Sequence, residues 1–165
     1  MSFASSIRKF VVDTKAQQDM AVRRVMFNAF TMVLKASPVD TGRFRANWQY
    51  GYGVQPTGVI DATDLSGDGA STRDALGSQV TKGIGVHYLV NNLPYAEVIE
   101  YGYYPNPVAK GTYVPAGQTK YGITGPGYAK RSEGGFSKQA PAGVLRITYE
   151  QLADDLGKIA NEVAP

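Results

Sequence analysis

The sequence of 165 residues contains no cysteine and a single histidine, His87. The missing thiols exclude disulfide bonds and thiolate metal sites, and one imidazole excludes a multi-histidine metal site or a Cys–His catalytic pair. No apolar run approaches the ~20 residues that a membrane-spanning helix needs. The N-terminal segment also lacks the apolar centre of a signal peptide. We therefore expect no cofactor, no metal and no membrane partner.

Neither sign of charge is in large excess, since 17 Lys and Arg stand against 14 Asp and Glu. A net charge of +3 does not by itself indicate nucleic-acid binding. The charge is unevenly placed: residues 1–36 and 103–139 are basic, whereas 51–102 and 140–165 are net acidic. Ordinary solvated faces are the favoured explanation. The alternatives are complementarity between copies of the chain, or a basic loop beside DNA or an acidic partner.

Two stretches have helical periodicity. Residues 1–36 carry apolar residues on a face that is wide enough to indicate more than one neighbour, and a break near Asp13 is left open. Residues 141–163 predict a C-terminal helix opened by Pro141 and packed beside the first helix. Its apolar positions keep a 4-3-4-3-4 spacing: Leu145, Tyr149, Leu152, Leu156, Ile159 and Val163.

Between the helices the pattern changes to that of strands. Pro38 ends the first helix, and Asp40, Thr41 and Gly42 form a turn in which the Asp40 side chain bonds its own backbone. Alternating apolar residues then predict a strand at 43–52, with Trp48 as a core anchor. A second strand is predicted at 80–91. Residues 94–102 predict a short helix that contains Tyr95 and Glu100 and stops at Gly102.

These segments predict a single α+β domain over residues 1–165, large enough to bury a core. The long N-terminal helix (1–36) and the C-terminal helix (141–163) pack on a small antiparallel sheet. The sheet core spans 43–102 and includes a long loop at 53–82, and residues 103–139 form a projecting loop or hairpin. Part of the first loop, residues 64–69, resembles a calcium loop but lacks its final glutamate, so a plain mobile loop is favoured.

The 103–139 segment interleaves aromatic and basic residues. Such residues stack on single-stranded bases or anchor a protein contact, and the protein contact is favoured. Arg43 and Arg45 are predicted to be free for a neighbouring subunit as well. The predicted interface residues are therefore Arg43, Arg45, Tyr103, Tyr104, Lys110, Tyr113, Lys120, Tyr121, Lys130 and Arg131.

Chemistry is weakly indicated. Glu97 and Glu100 are three residues apart on the short predicted helix, and paired carboxylates can perform acid–base work. Such pairs are common on exposed helices, so catalysis is not the favoured reading. Glu100 is expected instead to form an ion pair or a cap within the fold, with Arg43 or Arg45 as partner. We expect no catalytic residues.

Three segments together resemble one family. Residues 38–48, PVDTGRFRANW, resemble the signature P-V-D-T-G-x-[LF]-[RK]-x-[SN]-[WI] after a long N-terminal helix. Residues 95–102, YAEVIEYG, are similar to the element Y-A-x-x-[IV]-E-[YF]-G. Residues 140–143, APAG, are similar to the usual opening of the last helix. This set is found in minor tail, neck and tail-completion proteins of tailed bacteriophages.

The resemblance implies a structural, non-enzymatic virion protein that assembles in the host cytoplasm. It implies a homo-oligomeric ring, of six copies, at the head–tail junction, in contact with other connector proteins and with tail tube or terminator proteins. Genome DNA would pass through the lumen without sequence-specific binding. The alternatives left open are a terminator ring that caps the tail tube and a nucleic-acid-binding module.

Overall fold

The fold combines helices with short antiparallel strands. The structure is a computed structural model and describes residues 3–80, 83–108 and 111–163. In chain order the elements are α1 (Phe3–Ala36), α2 (Arg43–Ala46), β1 (Trp48–Tyr52), α3 (Ala70–Gln79), β2 (His87–Asn91), α4 (Ala96–Tyr101), β3 (Thr112–Val114), β4 (Thr119–Lys120), β5 (Ile123–Thr124), β6 (Gly127–Ala129), β7 (Ser132–Glu133), β8 (Phe136–Ser137) and α5 (Leu145–Val163). The predicted α+β class is confirmed.

Helix α1 is continuous through Asp13, where the sequence left a break open. Its last turns enter the core, and both Phe30 and Leu34 are completely buried there. Its first turns remain in solvent, since Phe3 is 83% exposed and Phe10 is 70% exposed. Helix α5 packs against α1, as predicted. Only part of α1 therefore contributes to the core of one subunit.

Residues 43–47 do not belong to the predicted strand. Gly42 has φ of +79°, and the amide of Ala46 donates to the Gly42 carbonyl at 3.0 Å, which closes one helical turn. A half-buried strand alternates between core and solvent, whereas Phe44, Arg45 and Ala46 are all buried. The strand prediction is therefore wrong for this stretch, and β1 begins only at Trp48.

The sheet consists of β1 and β2 in antiparallel register, with Trp48 opposite Asn91 and Tyr52 opposite His87. The second strand is shorter than the predicted 80–91, because β2 begins at His87. The edge of the Tyr50 ring meets the Phe30 ring with centroids 5.8 Å apart, which joins the sheet to α1.

The predicted long loop at 53–82 contains a helix, α3. This helix starts directly after Gly69 and contacts α1. Leu76 is its one buried residue and belongs to the main core cluster. A ten-residue segment with one leucine and several Ser, Thr and Ala residues has no clear apolar periodicity. The sequence pattern therefore favoured a loop where tertiary packing holds a helix.

The described part of residues 103–139 is built from short hairpins. β3 pairs with β6, β4 with β5 inside that pair, and β7 with β8. Val114 and Ala129 are completely buried, so the base of the outer hairpin has a small core of its own.

The end of α4 lies where the sequence predicted it, whereas the start of α5 does not. α4 stops at Gly102, whose φ is +76° and whose missing Cβ would lie 2.5 Å from the Phe136 ring. α5 begins at Leu145 rather than at the predicted Pro141. On α5, Ile159 is buried but Tyr149 is 75% exposed, so the predicted apolar stripe faces the core only in part. In the described ranges, no helix has the length and apolarity needed to cross a membrane.

Candidate functional site

The turn between α1 and α2 is fixed by hydrogen bonds from both sides. The Ser37 hydroxyl donates to the Val33 carbonyl at 2.6 Å, and the Trp48 indole N–H donates to the Ser37 hydroxyl at 2.8 Å. Trp48, predicted as a core anchor, is only 2% exposed. The buried indole therefore holds the C-terminal end of α1 beside the start of β1.

Gly42 brings this turn close to the acidic loop that follows β1. A Cβ at Gly42 would lie 2.4 Å from the Asp64 carbonyl oxygen, and the Asp64 amide donates to the Gly42 carbonyl at 3.1 Å. The positive φ and the close approach both require glycine. The turn is thereby joined to a segment more than twenty residues further along the chain.

Asp40 reaches the hairpin segment and not its own backbone, which corrects the sequence prediction. Its carboxylate lies 2.9 Å from Arg131 Nη1 and 3.7 Å from Lys120 Nζ. The Tyr121 hydroxyl also donates to Asp40; burial, and then this carboxylate, raise the pKa of Tyr121 to about 12. Three side chains of the 103–139 segment therefore converge on one acid of the turn.

A second pair of bonds ties the same two segments together. The Gln139 side-chain oxygen accepts the Val39 amide at 2.5 Å, and the Gln139 side-chain nitrogen donates to the Val39 carbonyl at 3.0 Å. A glutamine side chain that bonds both backbone groups of one residue acts like a neighbouring strand. The sequence held no signal for Gln139, because it stands one hundred residues from its partner.

A cleft of about 360 Å³ lies between the turn and the hairpin segment. We call it the Arg43 cleft, and its lining is largely apolar with polar groups at intervals. The residues that matter here are Arg43, Phe44, Tyr95, Ile99, Tyr104 and Arg131. Burial raises the pKa of Tyr95, against a smaller lowering by Arg43, and burial likewise raises the pKa of Tyr104. Both phenols are therefore neutral hydrogen-bond donors at physiological pH.

The cleft is also where the two resembling segments meet. The rings of Phe44 and Tyr95 lie 6.3 Å apart between centroids. The Asn91 side chain donates to the Phe44 carbonyl at 2.9 Å. Residues 38–48 and 95–102 are far apart in sequence and form one wall of a single cleft in the fold.

Glu100 caps the N-terminus of α5 from another helix. Its carboxylate accepts the backbone amides of Val144, Leu145 and Arg146 at 2.7, 2.8 and 3.1 Å. A carboxylate at this position satisfies free amides and opposes the helix dipole favourably. Glu100 also pairs with the Arg146 guanidinium at 3.3 Å. The expected cap is present, but the expected partners Arg43 and Arg45 are not the ones it contacts.

This geometry leaves the Glu97 and Glu100 pair poorly arranged for acid–base chemistry. Both carboxylate oxygens of Glu100 accept hydrogen bonds, and Glu100 is buried. Glu97 is exposed on α4. An acid–base pair needs a proton-transfer group that faces a substrate, and Glu100 faces a helix terminus.

The prediction that Arg45 is free for a neighbouring subunit is wrong. Its residue is 7% exposed, and Nη1 donates to the carbonyls of Ser66 and Gly67 at 2.7 and 3.4 Å. Its Nε is buried without a hydrogen bond. Arg45 thus fixes the loop after β1, whereas Arg43 remains exposed.

The segment that resembles a calcium loop is organised by internal hydrogen bonds. The Asp64 carboxylate accepts the backbone amides of Ser66 and Thr72, each at 2.9 Å, and both of their hydroxyls. Burial raises the pKa of Asp64, but these bonds outweigh it and lower the pKa to about 2. The carboxylate is already saturated by the protein. Among residues 3–80, 83–108 and 111–163, no cluster of His, Asp or Glu is arranged to hold a metal.

The other predicted interface residues are spread over the hairpin segment. Tyr103 is 67% exposed beside Tyr101, and Tyr113 packs edge-on to Tyr128 with centroids 5.4 Å apart. Lys130 is exposed on the same segment. Lys110 lies outside the described residues. The structure thus brings Tyr104, Lys120, Tyr121 and Arg131 to the turn and leaves Tyr103, Tyr113 and Lys130 facing solvent elsewhere.

Comparisons with known proteins add no relative to these observations. No protein-family model, no curated protein and no solved structure matches the chain.

Proposed function

We propose that this chain is a structural subunit of a tailed-bacteriophage virion that forms a homo-oligomeric ring, of six copies, at the head–tail junction. The observation that carries the proposal is the meeting of residues 38–48 and 95–102 at one cleft, through the contact between the Phe44 and Tyr95 rings. These are the two segments that resemble neck and tail-completion proteins. Genome DNA would pass through the lumen of the ring.

The exposed face of α1 supports an assembled state. Phe3, Ile7 and Phe10 are 83%, 48% and 70% exposed in the isolated subunit. Contiguous apolar residues of this kind are typical of surfaces that are covered in an assembly. A ring is built from heterologous contacts, so that one surface of each copy packs against a different surface of the next. The basic α1 already packs against the net acidic α5 within one subunit, so the exposed apolar residues of α1 are what supports a contact between copies.

The proposal is tested on the virion and in solution. A cryo-EM reconstruction of a phage that encodes this chain should place it in a ring at the neck or at the end of the tail. Light scattering of the purified chain should give a mass of six times 17.8 kDa, with rings in negative stain. A reconstruction that places the chain in the capsid shell, or that does not contain the chain, would refute the proposal. A hexamer that caps purified tail tubes would favour the terminator position over the connector position.

A nucleic-acid-binding module is the second candidate. The exposed Tyr113–Tyr128 pair and the exposed Lys130 favour it. Stacking on aromatic rings beside cations gives DNA binding that falls steeply with salt. Binding of a single-stranded oligonucleotide at ~50 mM salt that is lost by ~200 mM would support this candidate. Binding that is undetectable at the lower salt concentration would exclude it.

A further inference from the structure

The Arg43 guanidinium lines the Arg43 cleft without a hydrogen-bond or ion-pair partner among the described residues. The Arg43 side chain makes no hydrogen bond or ion pair with the residues that the structure describes, whereas Arg131 and Lys120 both pair with Asp40. Asp40 thus pairs with two cations, and Arg43 is a further cation in the lining of the cleft. The lining carries two arginines and one aspartate, and this excess of positive charge suits a negatively charged group.

Part of the lining of the same cleft is apolar and buried. Phe44 and Ile99 are 6% and 3% exposed, and they line the cleft together with Tyr95 and Tyr104. The volume of about 360 Å³ is at the lower end of the range for ligand pockets, which is about 300–1,000 Å³. Such a space holds one or two side chains and is too small for a large cofactor.

The composition of the lining indicates a protein partner. Arginine and tyrosine supply most of the binding energy at protein interfaces, and aromatic anchors fill pockets of the opposite surface. A phosphate backbone needs several exposed cations along a groove, whereas this cleft is lined by two arginines, of which Arg131 already pairs with Asp40. The neutral hydroxyls of Tyr95 and Tyr104 are available as donors to a carboxylate.

We propose that the Arg43 cleft binds an acidic peptide segment of another protein, with a bulky apolar side chain against Phe44 and Ile99 and a carboxylate on Arg43. The cleft belongs to a single subunit, so peptide binding is independent of ring formation. A monomeric chain that binds the peptide would refute the ring and leave this inference standing.

Isothermal titration of the full chain with short peptides tests the inference. The probe is the acetylated and amidated peptide Gly-Asp-Phe-Glu-Gly, and two matched peptides replace Asp and Glu by Asn and Gln, or Phe by Ala. The first peptide should bind, and each matched peptide should bind at least about fivefold more weakly. Equal binding of the three peptides, or no binding of the first, would overturn the inference.

Two arginine variants localise the binding. Arg43→Gln should weaken the acidic peptide by about tenfold or more, because a hydrogen-bonded charge pair is lost. Arg8→Gln removes the same charge from an exposed position of α1 and should change the affinity by less than twofold. Equal weakening in both variants would show that peptide affinity depends only on the net charge of the chain, and it would refute the site. Circular dichroism should give both variants the melting temperature of the unaltered chain.

The same experiments distinguish two other occupants of the Arg43 cleft, a second copy of the chain and a nucleic acid. If a second copy fills the cleft, Arg43→Gln will lower the mass measured by light scattering and the peptide will dissociate the oligomer. If a nucleic acid fills it, a ten-nucleotide oligothymidine will bind more tightly than the peptide and will lose its affinity in Arg43→Gln. Either result would replace the acidic peptide as the occupant and overturn the inference.

Discussion

Glu100 Oε2 lies 2.7 Å from the backbone nitrogen of Val144, so a side chain of α4 caps the beginning of α5. The same carboxylate accepts the next two amides of the chain. Glu100→Ala would leave the buried Val144 amide without an acceptor, and we expect a loss of about 2–3 kcal/mol in the free energy of unfolding. Urea denaturation measures this loss. Glu97→Ala, at an exposed position of the same helix, should change stability by less than ~0.5 kcal/mol. Equal losses in the two variants would contradict the capping role.

Gly42→Ala should be among the most destabilising small substitutions in the chain. The alanine would have φ near +79° and a Cβ 2.4 Å from the Asp64 carbonyl oxygen. Backbone strain and overpacking together predict a loss of about 3 kcal/mol in the free energy of unfolding. Gly58→Ala is the matched control, because Gly58 has φ of +84° with open space around its Cβ position. Strain alone should cost about 1 kcal/mol there. Equal losses would show that the contact with Asp64 does not matter.

Asp64 predicts a specific pH dependence of stability. Its pKa is about 2 in the fold against an ordinary value of 3.8, so the folded state prefers the ionised carboxylate. The resulting stabilisation of about 2 kcal/mol is fully present above pH 4 and is lost as the pH falls through about 2. Asp64→Asn should remove this part of the slope. Urea denaturation of both proteins between pH 6 and about 2 measures it. Asp61→Asn, at an exposed position nearby, should retain the slope of the unaltered chain.

Asp40→Asn should loosen the hairpin segment without unfolding the protein. The ion pairs of Asp40 with Arg131 and Lys120 are partly exposed, so their loss should cost less than about 1 kcal/mol. Hydrogen exchange should accelerate at the amides of β4 and β5. The pKa of Tyr121 should fall below about 12, because the carboxylate no longer raises it, and should stay above 10 because burial remains. Unchanged exchange and an unchanged tyrosine titration would show that Asp40 does not hold this segment.

Phe10→Glu should prevent assembly and leave the subunit folded. Phe10 is 70% exposed, so the subunit loses little packing, whereas a ring that covers α1 would have to bury a carboxylate. Light scattering should show a smaller mass than for the unaltered chain, with unchanged circular dichroism. Val54→Glu, at a residue that is 77% exposed outside the helices, should assemble normally. A Phe10→Glu variant that assembles as well as Val54→Glu would exclude the N-terminal half of α1 from the interface.

Local patterns determined much of this protein. The sequence predicted the long first helix, the final helix, the stop at Gly102 and the α+β class, because helical periodicity and glycine at positive φ are properties of short segments. It also predicted that Glu100 caps or pairs within the fold. The absence of cysteine excluded disulfide bonds and thiolate metal sites, and the single histidine excluded a multi-histidine metal site.

Only the tertiary structure decided which segments meet. It turned residues 43–47 into a helical turn in which only Arg43 is exposed, and it made a helix of α3 through contact with α1. It also buried Arg45, which the strand pattern had placed in solvent. The physical reason is the same in each case: burial and hydrogen bonding between distant segments outweigh local propensity. The Arg43 cleft is the clearest example, because its walls come from three separate parts of the chain and no single part predicts it.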